Sequence, residues 1–224
     1  MNRVFVVGDC HGFVDVAKLD YLEEKFNDWS YDDYVIICGD TAITWDNGKF
    51  DESVLKMHKN HPWTTLYVHG NHDNVPMLDE MPQEDWHGGK INRLADNVFH
   101  LVSGYIFDIC GHSFFAFGGA ASHDMWCRKA GLNWWAREMP TEEEYERGLA
   151  NLDKVNNQVD YILSHCAPDQ IQSQIADWYE HDKLTNYLEF VRQTVDFKKW
   201  FCGHMHIDKD FGRYQFLYND IIEI

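Results

Sequence analysis

Five short apolar runs in this chain end in Gly or Ser, and polar residues able to bind a metal follow each one. Residues 3–7 lead into Gly8-Asp9-Cys10-His11-Gly12, and residues 34–38 lead into Gly39-Asp40. Residues 65–68 lead, past His69, into Gly70-Asn71-His72-Asp73. Residues 161–163 precede Ser164-His165, and residues 200–202 precede Gly203-His204-Met205-His206. Runs of four or five β-branched and aromatic residues read as strands buried on both faces, as in a parallel sheet. The carboxyl ends of such strands lie along one edge, where open α/β sheets build their sites. Glycine there permits tight turns and close backbone approach. The pattern therefore predicts that Asp9, His11, Asp40, Asn71, His72, His165, His204 and His206 converge.

The segments between these runs supply the rest of an α/β fold. Residues 13–28 read as a helix with Val14, Ala17 and Tyr21 on its buried face. Residues 51–59 read as a second, shorter helix. Residues 98–102, 105–109 and 113–117 read as strands whose short spacers suggest hairpins, so the sheet is expected to be mixed. Thr141 followed by Glu144 is a capping-box signature. It opens a helix with Tyr145, Leu149 and Leu152 as the expected buried stripe, and the run Glu142-Glu143-Glu144 as its solvated start. Residues 182–195 read as a helix, and 211–224 as one or two more strands. No repeat or linker divides the chain, so residues 1–224 are expected to form one domain. A Trp-rich insertion falls around 118–140.

With 37 acidic and 19 basic residues the net charge is −18. That argues against binding duplex nucleic acid through a general basic surface, since phosphate neutralisation drives such binding. It leaves open a small phosphate ester held through bound cations. No apolar run approaches the ~20 residues of a membrane helix, and the N-terminal apolar run is too short for a signal peptide. The six cysteines, Cys10, Cys38, Cys110, Cys127, Cys166 and Cys202, contain no C-x-x-C pair. They read as reduced, partly buried thiols of a cytoplasmic protein. The sequence carries no signal for an oligomeric state.

Two carboxylates, an amide oxygen and several imidazoles exceed the needs of one four-coordinate cation. They suit two divalent cations close together with one carboxylate bridging. Mixed N/O ligands without thiolates fit Mn, Fe or Zn better than Ca, and Mn is the expected metal. Each block alone has a plainer reading: a turn, a loop, a satisfied core histidine. Their joint occurrence at five strand ends favours a site.

Together the five blocks, spanning residues 8 to 206, resemble those of the calcineurin-like metallophosphoesterases. The resemblance implies a four-layer α/β sandwich of two mixed β-sheets flanked by helices. It also implies a dinuclear metal centre that hydrolyses a phosphomonoester or phosphodiester by in-line attack of a metal-bridging hydroxide. Asp9, His11 and His206 would hold one metal, Asn71, His165 and His204 the other, and Asp40 would bridge them. His72 would act at the leaving-group oxygen rather than as a ligand. Protein Ser/Thr phosphatases of this superfamily carry an arginine shortly after the second block and a carboxylate that orients the catalytic histidine. Here Thr41-Ala42-Ile43-Thr44 follows Asp40, with no arginine and no carboxylate at Ile43. Asp73 stands where those enzymes usually have Glu. The chain thus resembles the broad bacterial and phage-type branch, with a small molecule or nucleotide as the expected substrate.

The stretch 118–140 carries Trp126, Trp134, Trp135, Arg128, Lys129 and Arg137. It reads either as a wall that places arginine on phosphate, or as an insertion packed on the sandwich with its arginines turned outward. Arg128, Arg93 and His123 are the candidate substrate-binding residues. The alternative to an enzyme is a non-catalytic metal-binding scaffold on the same fold. A scaffold is expected to have lost key residues, whereas His72 and every ligand position are present here.

Overall fold

The computed structural model describes residues 2–175 and 180–224. The first half runs β1 (Val4–Val7), α1 (Ala17–Lys25), β2 (Tyr34–Cys38), α2 (Lys49–Asn60), β3 (Thr64–Val68), α3 (Val75–Asp79), β4 (Gln83–Trp86), β5 (Gly89–Ala95) and β6 (Val98–Leu101). The second half runs β7 (Tyr105–Ile109), β8 (His112–Phe117), α4 (Glu142–Lys154), β9 (Tyr161–Ser164), α5 (Asp169–Gln172), α6 (Lys183–Thr194), β10 (Lys199–Cys202), β11 (Lys209–Phe211), β12 (Tyr214–Phe216) and β13 (Ile221–Glu223). Two short 3-10 turns, Met125–Cys127 and Ala136–Glu138, interrupt the Trp-rich stretch.

Two mixed sheets result, ordered β13-β1-β2-β3-β6-β5-β4 and β11-β12-β10-β9-β8-β7. Alternation along each strand sorts the side chains into layers. Val4, Val6, Ile36, Leu66 and Val68 of the first sheet meet Phe107, Phe114, Ala116, Leu163 and Phe201 of the second in a central core. The opposite residues of the first sheet, Phe5, Val7, Val35 and Ile37, pack on Leu19 and Leu22 of α1 and Val54 of α2. On the far side, Phe115, Phe117, Ile162 and Trp200 pack on Tyr145 of α4 and Leu184, Leu188 and Val191 of α6. The order is helix, sheet, sheet, helix, the four-layer sandwich expected. Among the described residues no helix is long and apolar enough to cross a membrane.

The central strands β1, β2 and β3 run parallel with Val7 opposite Ile37 and Cys38 opposite Val68. In the second sheet β9 and β10 are parallel, with Ser164 opposite Cys202. These registers bring all five site-bearing strand ends to one level of the sandwich.

Several local expectations are corrected. The first helix begins at Ala17, not residue 13, because His11 and Gly12 take left-handed backbone angles that end the strand in a turn. Its buried face is Lys18, Leu19 and Leu22, while Val14, Ala17 and Tyr21 are exposed. In α4 the capping box forms as expected, but Glu144 is buried against Arg137 rather than solvated, Leu149 is exposed, and Gly148 lies inward instead. Strands β6 and β7 are not a hairpin: Ser103-Gly104 carries the chain from one sheet to the other. The edge hairpin β4–β5 was not anticipated, since most of β4 is exposed and polar. Residues 211–224 form two strands as expected, β12 and β13, and a further strand, β11, precedes them from Lys209. All six cysteines are free; Cys110 and Cys127 are exposed and the other four buried.

Candidate metal centre

Three of the five strand ends, those of β1, β2 and β10, deliver their polar residues through turns with unusual backbone angles. His11, Asp40, His204 and His206 all have positive φ, between 44° and 63°. Such conformations in non-glycine residues cost free energy and cluster at functional sites. Three glycines allow the approach, one of them Gly70, where a side chain would meet the Asp40 carboxylate. A side chain at Gly39 would collide with the His165 ring, and one at Gly203 with the Asp9 carboxylate.

The side chains form three overlapping groups: Asp9, His11 and His206; His11, Asp40 and His72; and Asp40, His165 and His204. Within each group the potential ligand atoms lie within 4.8 Å of one another. His11 Nε2 and His165 Nε2 are each 3.3 Å from Asp40 Oδ2, so Asp40 sits between the two halves. His206 Nε2 is 3.2 Å from Asp9 Oδ2. Asn71 Oδ1 lies 3.1 Å from His165 Nε2, which joins the amide to the second half.

An outer ring of contacts fixes these donors. His165 Nδ1–H donates to the Cys38 carbonyl at 2.7 Å, which leaves Nε2 facing the centre. His11 Nδ1 meets Asp15 at 2.8 Å, and Tyr218 donates its hydroxyl proton to the other Asp15 oxygen. The Asn71 amide N–H donates to Ser122 Oγ at 3.1 Å, and Ser122 donates to Glu138, so the amide oxygen is the atom turned inward. The ammonium of the buried Lys18 donates to the carbonyls of Asp9 and Tyr218. Partners of this kind orient metal ligands. Asp15, Lys18, Ser122, Glu138 and Tyr218 were missed in the sequence, where nothing but their nearness to the blocks distinguishes them.

Electrostatics test whether cations fit this donor set. Burial would lower the His11 and His165 pKa values. The carboxylates of Asp40 and Asp9 outweigh it, raising His11 to about 9 and His165 to about 10. Asp40, despite complete burial, is held well below the ordinary carboxylate range by His165 and His11. Burial drives His204 well below the usual histidine value. A donor set that draws protons onto its own imidazoles is deficient in positive charge, and divalent cations supply it. Carboxylate, amide oxygen and imidazole donors without thiolate fit that group.

His72 shares a group with His11 and Asp40, so distance alone does not separate it from the ligands. Its ring nitrogens face Arg128, with Nε2 at 2.9 Å and Nδ1 at 3.4 Å from the guanidinium. Burial first, then Arg128 and neighbouring histidines, lower its pKa against the pull of Asp40. Trp45 stacks on the same ring, with centroids 5.7 Å apart and planes at 14°. Asp73 is not a ligand. Its buried carboxylate accepts from the Gly70, Thr41 and Ala42 N–H groups and the Thr41 hydroxyl, clamping the second block to the third.

Arg128 and His123 line the cleft of about 180 Å³ over this cluster, with Asp124 and His72. The His123 ring lies 5.3 Å from that of His204. Arg93 is not brought there: its guanidinium pairs with Glu84 at 2.9 Å and covers Phe99 on the outer hairpin. In the Trp-rich stretch Trp126 is exposed, Trp134 half-buried, and Trp135 buried edge-on to Trp45 at 5.3 Å. Arg137 bonds to Asp79 and Glu144. The stretch thus both packs on the sandwich and walls the cleft.

The profile of the calcineurin-like phosphoesterases matches residues 2–208. No curated protein matches the chain. Among solved structures the chain is similar to the phosphopantetheinyl hydrolase PptH of Mycobacterium tuberculosis. The two share 16% identity over 96% of this chain and 87% of that one, with a TM-score of 0.46.

Proposed function

The chain belongs to the calcineurin-like phosphoesterase family, and from that premise we propose that it hydrolyses a phosphate ester at a dinuclear metal centre. One observation carries the reading: seven candidate ligands from five strand ends meet around Asp40, under a cleft that presents His72 and Arg128. Asp9, His11 and His206 would hold one cation, Asn71, His165 and His204 the other, and Asp40 would serve both. When bound, two divalent cations neutralise the phosphate, acidify water and stabilise the charge that develops on the way to product.

The chain's own residues do the rest. Arg128 binds phosphate oxygens; its planar fork suits that task, and Asp124 holds it at the cleft. Water supplies the new P–O bond as the ester P–O bond breaks in line with it. His72 relays to the departing oxygen the proton that the attacking water gives up, because an alkoxide is a poor leaving group. The cleft favours a small-molecule or nucleotide ester, with manganese as the native metal. Monoester and diester are separated by assay. Purified protein with Mn²⁺ is expected to turn over p-nitrophenyl phosphate or bis-p-nitrophenyl phosphate, and EDTA to abolish it. His72→Ala should keep metal and fold while losing about 100-fold or more of turnover. A protein that holds two metals and hydrolyses neither ester would overturn the reading.

A further inference from the structure

We infer that Trp45 is the positioning residue for His72, and that the Trp-rich insertion serves the site by bracing Trp45 through Trp135. The inference rests on the role of His72 proposed above.

A proton donor must be held in place, and a displacement of about 1 Å can cost roughly 100-fold in rate. Carboxylates usually hold imidazoles. Among the described residues none lies within 4 Å of a His72 ring nitrogen as an ion pair, whereas His11, His165 and His206 each have one. The His72 backbone N–H is fixed by donation to Asp40 at 2.8 Å, but that leaves the ring free to rotate. Three contacts limit the ring: the Arg128 guanidinium, the face of Trp45, and the His11 ring, which meets it edge-on at 5.4 Å. Arg128 is the group proposed to bind phosphate, so it leaves the imidazole when substrate arrives. The parallel face of Trp45 then keeps the ring plane, with the His11 ring edge-on beside it.

Trp45 is built for that task. Its backbone N–H donates to Asp51 on α2 at 2.8 Å, and its carbonyl accepts from the Asn74 amide at 3.2 Å. Asn74 lies two residues after His72, and its own N–H donates to the Thr44 carbonyl at 2.6 Å. The segment bearing Trp45 and the loop bearing His72 are therefore tied directly. Trp135 meets the Trp45 ring edge-on, a favoured aromatic geometry, and is itself buried.

The test uses a series of aryl phosphates, from p-nitrophenyl to phenyl, as mono- or bis-esters according to what the wild type hydrolyses. A misplaced proton donor harms poor leaving groups most. Trp45→Ala should lose about tenfold more kcat on the phenyl ester than on the p-nitrophenyl ester. Trp45→Phe, which keeps a stacked ring, should restore most of the difference, and Trp135→Ala should show the same bias more weakly. In a His72→Ala background Trp45→Ala should add little, because the two act as one unit. In the metal-free protein, NMR should place the His72 Cε1–H upfield under the Trp45 ring current, and Trp45→Ala should move it downfield. Equal losses across the aryl series, full additivity with His72→Ala, or an unmoved His72 resonance would each overturn the positioning role in an otherwise active enzyme. A wild type without metal-dependent turnover would overturn the function and this inference together.

Discussion

Asp73 offers a sharp test of how two of the five blocks are held together. Its carboxylate accepts from Gly70 N–H at 2.8 Å, the Thr41 hydroxyl at 3.0 Å, Ala42 N–H at 3.0 Å and, at greater length, Thr41 N–H at 3.4 Å. Asp73→Ala leaves these donors in an interior where residues 73 and 41 have no exposure. An orphaned buried donor costs about 1–3 kcal/mol. Three well-formed bonds at the low end give a loss of about 3–5 kcal/mol. Part is offset, because burial and the nearby Asp40 charge push the Asp73 pKa up and make the ionised form costly. The expected net loss is ~2–4 kcal/mol, read from urea unfolding in EDTA so that metal binding adds nothing. Asp73→Asn keeps one carbonyl oxygen and removes the charge, so it should cost about 1 kcal/mol. An Asp73→Ala protein within ~0.5 kcal/mol of wild type would refute the clamp, since that is the range of surface substitutions. Equal losses in both variants would refute the hydrogen-bond accounting.

Two further outcomes follow from the geometry. Arg128→Ala should raise KM or lower kcat by about tenfold or more, the worth of a charge-assisted hydrogen bond, and unchanged kinetics would remove Arg128 from the site. Asp33 is buried, which raises its pKa, but bonds from the Arg3 guanidinium and the Arg3 and Ser30 N–H groups outweigh this and bring it to about 2. On acidification the unfolded chain takes up that proton first. This stability is therefore full above about pH 4 and lost as pH falls towards 2. Arg3→Gln should flatten that acid limb in urea titrations from pH 5 to 2.

The strands and their polar sequels were legible because apolar runs ending in glycine are strong local signals. The in-register parallel strands β1, β2 and β3 then bring the sequels together without further information. What surrounds the candidate ligands was not legible. Lys18 is buried because its ammonium finds two carbonyls, one of them 200 residues away at Tyr218, and no periodicity announces that. The same burial turned the first helix to a different face. The β4–β5 hairpin, at the sheet's edge, has too few buried residues in β4 to mark it as a strand. Ser103-Gly104 reads as a hairpin turn because a two-residue spacer looks alike within a sheet and between sheets. Trp45 is five residues beyond Asp40 in a loop, and only its stacking on His72 gives it meaning. Arg93 was a candidate beside Arg128, but it pairs with Glu84 of the neighbouring strand on the outer hairpin, away from the cleft.

The central claim is that the five strand ends assemble a two-cation site around Asp40. Titrating EDTA-stripped protein with Mn²⁺ in a calorimeter tests it most directly, with Asp40→Asn beside wild type. The account predicts two ions per chain, and impaired binding of both in Asp40→Asn because that carboxylate sits between the halves. A single ion, or two unaffected by Asp40→Asn, would contradict it.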